Sequence, residues 1–235
     1  MTEVRAVSQE SLTCAADADP LAVHESAARV FAARGEWRRA YEHLRSALDL
    51  DVLTASYNRR YLDRRLAELR DAHPPAVALV DLDLFKSVND TFGHEVGDQV
   101  LREVVRLLRW SLPAGGFCAR YGGEEFVLVL PAVGAGAAVA LAERARLRVA
   151  EHPWERLRPG LAVTVSIGVA HRPTRPRDVS AQLREADDLL YLAKRAGRNR
   201  VAYRQYGTVR VVRTVRSAEW VTTRNEGSLT SLERG

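Results

Sequence analysis

Four acidic residues stand where they could share one metal ion or a pair of them. Asp81 and Asp83 end the apolar run AVALVDLD at positions 76–83, and Glu124 and Glu125 follow a pair of glycines. Neighbouring carboxylates repel one another unless a cation lies between them. Oxygen ligands that leave coordination positions open suit Mg²⁺ held jointly by protein and substrate phosphates. If the two segments pair in a sheet, the cluster predicts metal-assisted phosphoryl chemistry, whereas a single acid would simply solvate a sheet edge.

Basic residues that could hold phosphates accompany the acids. Lys86 and Lys194 are the two lysines among 35 Lys and Arg residues, which indicates positions where a compact ammonium is preferred to a planar guanidinium. Lys86 closely follows the Asp81 strand, where a phosphate could rest on the next helix N-terminus. Lys194 and Arg198 are four residues apart and are expected to share one face of the last helix. A basic helix end that complements the helix dipole is the alternative for that pair.

A polar pair and a glycine pair complete the set of candidate residues. Asn89 and Asp98 flank TFGHEVG, and an amide with a carboxylate can read guanine, the carboxylate accepting from N1–H and the exocyclic amine. Taken singly, the two would be a turn residue and a helix cap. Gly122 and Gly123 predict a two-residue β-hairpin turn with positive φ, and they leave no Cβ to block a ligand.

Alternating strand and helix patterns surround these residues. Strand patterns cover 76–83, FCARY, EEFVLVLP, 161–171 and 199–204, and helical patterns cover 57–72, 85–92, 96–111, 135–151 and 178–196. The tight hairpin requires an antiparallel pair, which we expect in the middle of the sheet. The sequence therefore predicts an α+β fold with a mixed central sheet flanked by helices, rather than a doubly wound parallel sheet.

The ends of the chain differ from this domain. The segment 21–50 has helical spacing on both sides of Gly35, the expected helix C-cap, and predicts a helical hairpin. Its pattern resembles one tetratricopeptide repeat, whose face stacked neighbours normally cover; a plain pair of linker helices is the alternative. Residues 1–20 are expected to be disordered, and 206–235 to form a flexible tail whose start, 208–215, has a strand pattern.

Composition limits the location and the partners. With 46% hydrophobic and 28% charged residues the chain has ordinary globular usage. It has no run of about 18 apolar residues and no signal-peptide pattern at its start, so we expect a cytoplasmic protein without membrane association. The net charge of +5 is spread along the chain and aromatic residues are few; a nucleic-acid partner is therefore not expected. A modest positive charge suits a polyanionic substrate.

Five segments occur in a fixed order at spacings that fit one domain: DVLTASYNRR (51–60), DLDLFKSVNDTFGHEVGDQVL (81–101), RYGGEEF (120–126), VSIGVA (165–170) and ADDLLYLAKRAGRNRV (186–201). Together they closely resemble the GGDEF family of diguanylate cyclases, with GGEEF as a variant of the signature. The resemblance implies a cyclase domain of nucleotidyl-cyclase, palm-like fold at 51–205.

The resemblance also implies roles for the acids. Asp81 and Glu124, with the backbone carbonyl of Leu82, would bind two Mg²⁺ ions per active site, for which Mn²⁺ can substitute. Glu125 would balance charge and help to deprotonate the ribose 3′-hydroxyl.

A GTP site is implied by the same resemblance. Asn89 and Asp98 would select guanine over adenine. The remaining GTP contacts would come from three basic side chains, two backbone positions and the glycine pair, namely Lys86, Lys194, Arg198, Leu84, Phe85, Gly122 and Gly123.

The implied reaction condenses two GTP into cyclic di-GMP and releases two pyrophosphates. Each domain holds one GTP, so two chains must face each other, and we expect a symmetric homodimer. Many family members carry an Arg-x-x-Asp product-inhibition motif before the signature. Here Pro113 and Gly116 occupy its two charged positions, so no feedback inhibition is expected there.

Two other functions stay open. The chain could be a catalytically inactive module that binds GTP or cyclic di-GMP, or a helical interaction protein that binds a partner through residues 21–50 and carries the cyclase domain as a passenger. A cyclase that tolerates adenine is a further alternative, against which Asp98 argues. The sequence does not identify a regulatory signal.

Overall fold

The computed structural model describes residues 20–69, 75–171 and 179–212. Within these ranges a pair of helices precedes an α+β domain, which confirms the predicted fold class. The helices are α1 (Pro20–Ala33), α2 (Trp37–Leu48), α3 (Arg59–Leu69), α4 (Phe85–Phe92), α5 (His94–Arg109), α6 (Ala135–Ala150) and α7 (Val179–Arg195). The strands are β1 (Ala76–Leu82), β2 (Phe117–Arg120), β3 (Glu125–Leu130), β4 (Val165–Ala170), β5 (Val201–Gln205) and β6 (Thr208–Val211).

Six strands form one mixed sheet in the order β2-β3-β1-β4-β5-β6. Every neighbouring pair is antiparallel except β4 and β5, which are parallel. The hairpin of β2 and β3 lies at one edge of the sheet, so its predicted place in the middle is wrong. The central position belongs to β1, every residue of which is buried. Burial on both faces explains why this strand has a continuous apolar sequence instead of an alternating one.

Helices cover both faces of β1. The even-numbered residues of the strand pack with α5 and α6, whereas Val77 and Leu79 pack with α3 and α7. Successive side chains of a strand point to opposite faces. Position 81 therefore directs its side chain toward α7, the helix whose last turn is basic.

The sheet continues past the predicted end of the domain at 205. Strand β6 pairs with β5, with Ala202 opposite Val211, and the backbone N–H of Val212 donates to the carbonyl oxygen of Val201 over 2.8 Å. The start of the expected flexible tail is thus a paired strand. Residues 1–19 and 213–235, which carry the rest of the predictions for the two ends, lie outside the described residues.

The two N-terminal helices form a hairpin about Gly35, whose φ is 74°. This hairpin is tied to the domain by polar contacts: Nδ2 of Asn58 donates to the carbonyl oxygen of Leu48 over 2.8 Å, and Arg64 forms an ion pair of 2.6 Å with Asp49. In the part of the chain that the structure describes, no helix combines the length and the apolar character needed to cross a bilayer.

Helix α7 approaches β4 closely at Gly168. A Cβ built on this glycine would lie 2.0 Å from the carbonyl oxygen of Ala186 and 2.4 Å from the amide nitrogen of Leu190. Both are helix backbone atoms, which move only if the whole helix moves. Gly168 therefore sets how deeply α7 sits on the sheet, and with it the position of the basic end of the helix.

Gly168→Ala is expected to lower the free energy of unfolding by about 2–3 kcal/mol, since the added methyl overpacks the contact between helix and sheet. Gly136→Ala is the matched control, because Gly136 lies in α6 with open space around its Cβ position. That substitution should be neutral or stabilising by about 0.5–1 kcal/mol. Urea denaturation measures both; equal midpoints for Gly168→Ala and the wild-type chain would show that the close approach is not needed.

Candidate active site

The ends of β1 and β3 bring three acidic residues together. In the antiparallel register Asp81 lies opposite Glu125, and the backbone N–H of Leu82 donates to the carbonyl oxygen of Glu124 over 3.3 Å. Asp81 is only 5% exposed, whereas the two glutamates are half-buried. These three carboxylates, Asp81, Glu124 and Glu125, form what we call the acidic corner of the sheet.

The surroundings of the acidic corner disfavour ionisation of all three carboxyl groups at once. Burial raises the pKa of Asp81 above its usual range. Burial and, after it, the negative charge of Asp81 raise the pKa of Glu124 and the pKa of Glu125. Carboxylates in such surroundings ionise more readily when a cation is placed beside them.

One cation comes from the protein itself. Nζ of Lys194, in the last turn of α7, lies 2.8 Å from Oδ1 of Asp81. Burial remains the largest influence on the pKa of Asp81, and the charges of Lys194 and Arg198 act in the opposite direction. Both basic residues therefore interact electrostatically with the acidic corner. Complementing the helix dipole, the alternative considered for this pair, is not their whole role.

Arg198 reaches this corner by a route that the sequence analysis did not predict. Helix α7 ends at Arg195, so Arg198 does not share a helix face with Lys194, and that prediction is wrong. Gly197, Arg198 and Asn199 have φ values of 114°, 60° and 48°, and this left-handed turn directs the chain into β5. Left-handed backbone costs a non-glycine residue about 1–2 kcal/mol, so other contacts must hold the turn.

Asp83 supplies one of those contacts. Its Oδ1 accepts from Oγ of Ser166 over 2.7 Å, and its Oδ2 accepts from Oγ1 of Thr164 over 2.7 Å and from the backbone N–H of Asn199 over 2.9 Å. Asp83 lies just beyond β1, which ends at Leu82, and its negative charge contributes to the raised pKa of Asp81. Because both of its carboxylate oxygens accept these hydrogen bonds, Asp83 serves as an anchor for the turn.

The glycine pair shapes its loop in an unexpected way. Residues 121–124, which we call the glycine loop, connect β2 to β3. Neither Gly122 nor Gly123 has a positive φ, so the predicted two-residue turn is wrong. Gly122 allows a close approach instead. A Cβ there would lie 2.5 Å from Oε2 of Glu125, because the carboxylate of Glu125 folds over this glycine.

An ion pair that the sequence analysis missed holds this loop. Arg120 lies 3.0 Å from the carboxylate of Asp51 and donates to the carbonyl oxygens of Gly122 and Gly123 over 3.2 and 2.7 Å. Burial raises the pKa of Asp51, but hydrogen bonds from Thr54 and Arg120 outweigh it and the pKa is lowered. The signal in the sequence was DVLT, the start of the first of the five segments.

Asn89 and Asp98 lie on two neighbouring helices, α4 and α5, and both are half-buried. A Cβ built on Gly97 would lie 1.9 Å from Oδ1 of Asn89. The amide of Asn89 thus rests on the backbone of α5 directly before Asp98. Because Asn89 lies within α4 and Asp98 is the fifth residue of α5, neither the turn nor the helix-cap interpretation is correct.

The connection from β1 into α4 carries the remaining predicted residues. Leu84 is exposed and has a left-handed φ of 57°, and the buried Phe85 begins the helix. Lys86 lies in the first turn of α4, where its Nζ is 2.9 Å from Oδ2 of Asp90. The structure places Lys86 at the helix N-terminus but pairs it with Asp90, one turn further on.

The donor set of the acidic corner fits a divalent cation that shares its ligands with a substrate. Among the residues that the structure describes, no group of three or more His, Cys, Asp or Glu side chains is arranged to hold a metal ion by itself. The corner offers the carboxylates of Asp81 and Glu124 beside the backbone of Leu82. Such a partial oxygen set suits Mg²⁺, which takes its remaining ligands from phosphates and water.

The turn before β2 has no room for an inhibitor-binding side chain. The backbone N–H of Gly116 donates to the carbonyl oxygen of Pro113 over 2.9 Å. A Cβ on Gly116 would lie 2.9 Å from Cδ of Pro113 and 3.1 Å from the carbonyl oxygen of Val129. A charged residue could not replace this glycine without moving the backbone.

Known proteins have sequences similar to this chain. Residues 48–200 match the family model for the diguanylate cyclase, GGDEF domain. The response regulator PleD of Caulobacter vibrioides is 39% identical over 178 residues, which are 70% of this chain and 39% of PleD. Diguanylate cyclase DosC of Escherichia coli is 37% identical over 171 residues, 70% of this chain and 37% of DosC. The chain therefore spans about two fifths of the length of these relatives.

Solved structures share the fold. Diguanylate cyclase SiaD of Pseudomonas aeruginosa, in complex with its activator SiaC, aligns with a TM-score of 0.64 at 36% identity, over 78% of this chain and 73% of SiaD. The residues matched by the family model contain the acidic corner, the glycine loop and the basic end of α7. The chain belongs to the GGDEF domain family of diguanylate cyclases.

Proposed function

We propose that this chain is a diguanylate cyclase, which condenses two GTP molecules into cyclic di-GMP and releases two pyrophosphates. The observation that carries the proposal is the acidic corner with Lys194 paired to Asp81 at 2.8 Å. Oxygen ligands for a cation and fixed positive charge for phosphates then meet at one place, as nucleotidyl transfer requires. The names of DosC and SiaD as diguanylate cyclases support this proposal.

The acids would hold the metal. Asp81, Glu124 and the backbone carbonyl of Leu82 would bind two Mg²⁺ ions, for which Mn²⁺ can substitute. When bound, the metal supplies positive charge at the attacking and leaving oxygens. Glu125, whose carboxylate lies over the glycine loop, would balance this charge and accept the proton of the ribose 3′-hydroxyl.

The basic residues would hold the phosphates. Lys194 and Arg198 would bind the β- and γ-phosphates from the α7 side, and Lys86 would exchange its partner Asp90 for a phosphate at the start of α4. The backbone amides of Leu84 and Phe85 begin that helix, where an anion is favoured. These fixed cations would neutralise the charge that develops on pyrophosphate as the 3′-oxygen of a second GTP attacks the α-phosphorus in line.

Guanine would lie between α4 and α5. The carboxylate of Asp98 would accept from N1–H and the exocyclic amine, and the amide of Asn89 would donate to O6. Adenine presents an acceptor at N1 and an amino group at C6, so the same pair would oppose it. The glycine loop, Gly122 and Gly123, would leave space for the substrate against the backbone.

The chain would act in the cytoplasm. It would act as a homodimer, since each domain would hold one of the two GTP molecules.

We also propose that residues 21–50 bind a protein partner. Trp37, Tyr41, Leu44 and Leu48 line one side of α2, and each is more than half exposed. An apolar stripe of this kind favours a covering partner, and a single repeat-like hairpin would need one.

Glu124→Gln should lower cyclic di-GMP formation at least about 100-fold, because it removes a charge that the metal requires while keeping the size of the side chain. The assay follows cyclic di-GMP from GTP with Mg²⁺. Removal of the metal with a chelator should stop the wild-type reaction, and added Mg²⁺ should restore it. Glu151→Gln, an exposed glutamate at the end of α6, is the matched control and should keep full activity. Undiminished turnover by Glu124→Gln would refute the proposed role of the acidic corner.

The rate should rise faster than linearly with protein concentration, because two chains must meet for one product molecule. Initial rates over a wide range of protein concentration at saturating GTP measure this. Once the chain is fully dimeric, the rate should become proportional to protein. Strict proportionality in dilute samples that light scattering shows to be monomeric would contradict the two-chain mechanism.

Cyclic di-GMP should not inhibit the enzyme through the turn at Pro113 and Gly116, which offers no charged side chain. Initial rates with added product, compared between the wild-type chain and Pro113→Ala, test this. Both should respond equally to cyclic di-GMP. Inhibition at micromolar product that Pro113→Ala relieves would show that the turn binds product after all.

A further inference from the structure

The most completely buried charged side chain among the described residues lies on α6, outside the acidic corner. Arg146 is 1% exposed, although burying a guanidinium is costly. Its Nε and Nη2 donate to the two carboxylate oxygens of Glu143 over 2.8 and 2.6 Å. A buried ion pair is often no more stable than apolar residues of the same volume, so stability alone does not explain Arg146.

The third bond of the guanidinium crosses to the end of α7. Nη1 of Arg146 donates to Oδ1 of Asn199 over 2.6 Å, between residues 53 positions apart. The backbone N–H of Asn199 donates in turn to Oδ2 of Asp83 over 2.9 Å. Asn199 is therefore held on two sides, its side chain by α6 and its backbone by the end of the central strand.

The hydrogen bond between Arg146 and Asn199, which we call the clamp, acts on the turn that carries Arg198. Arg198 and Asn199 both have left-handed backbone, with φ of 60° and 48°, and such conformations persist only when surrounding contacts hold them. The charge of Arg198 acts on Asp81, so the turn holds the guanidinium within electrostatic range of the acidic corner. If the clamp were lost, the turn could relax and Arg198 would move away from that corner.

We propose that Arg146 and Asn199 are positioning residues, whose mutual hydrogen bond fixes the left-handed turn and thereby holds Arg198 in place for the phosphates of GTP. The inference rests on the proposed function, since it takes GTP as the ligand. Neither residue contacts the nucleotide in this account; both act through Arg198.

Two variants remove the clamp in different ways. Arg146→Lys keeps a positive charge on α6, but an ammonium cannot reproduce the planar fork that reaches Glu143 and Asn199 together. Asn199→Gly removes the acceptor and keeps a residue that adopts left-handed backbone without strain. Arg106→Lys is the matched control, because Arg106 forms the same two-bond contact, from Nε and Nη2, with Glu103 three residues before it on α5.

The measurement is calorimetric binding of an α,β-methylene analogue of GTP in the presence of Mg²⁺, since its bridging carbon prevents pyrophosphate from leaving. Each clamp variant should bind the analogue about tenfold more weakly than the wild-type chain, the effect of losing one charge-assisted contact. Arg106→Lys should bind it as the wild type does. Thermal denaturation of every variant identifies any that fails to fold, and the other clamp variant then decides the outcome.

A double-mutant cycle separates positioning from a general structural effect. Arg198→Ala should itself weaken binding about tenfold, and adding Arg146→Lys or Asn199→Gly to it should weaken binding no further. The same tenfold loss in both backgrounds would overturn the proposal, as would unchanged binding by the single clamp variants or by Arg198→Ala.

Binding and turnover fail separately in this design. If the wild-type chain binds the analogue but forms no cyclic di-GMP, the proposed function is wrong, and the cycle still decides whether the clamp positions Arg198. If the wild-type chain neither binds the analogue nor forms cyclic di-GMP from GTP, both proposals are overturned.

Discussion

Three carboxylates at one corner of a sheet are stable together only while positive charge is held beside them, and the domain is arranged around this constraint. The pairing of β1 with β3 fixes Asp81 opposite Glu125. Burial then makes the charge on Asp81 costly, which the raised pKa reflects. Lys194 relieves part of that cost, and α7 delivers Lys194 because Gly168 lets the helix backbone approach the sheet.

Positive charge at the acidic corner depends on contacts between distant parts of the chain. Asp83 and Asn199, which are 116 residues apart, join the end of β1 to the turn after α7, and Arg146 joins the same turn to α6. The loop on the other side is held in a similar way by the ion pair of Arg120 with Asp51. Residues without a proposed contact to substrate thus fix the geometry of residues with one.

Features set by local sequence could be predicted, and features set by distant contacts could not. The apolar run of β1 and the helical periods predicted the α+β fold. The position of Asp81 at a strand end and of Glu124 after the glycine pair predicted a cluster of acids. Arg198 was misplaced because the end of α7 is decided by Gly197 and by hydrogen bonds to Asp83, which no helical period reveals. The conformation of the glycine loop was predicted wrongly because Gly122 lets the carboxylate of Glu125 lie against its backbone and does not adopt a positive φ.

Catalysis at the acidic corner is tested most directly by the identity and ratio of the products that the purified wild-type chain makes from GTP and Mg²⁺. Mass spectrometry of the nucleotide and a pyrophosphate assay should find one cyclic di-GMP for every two pyrophosphates, and no corresponding product from ATP. GTP that is bound but not converted, in samples shown to contain dimers, would contradict catalysis at the acidic corner. The chain would then be a nucleotide-binding module built on a cyclase fold.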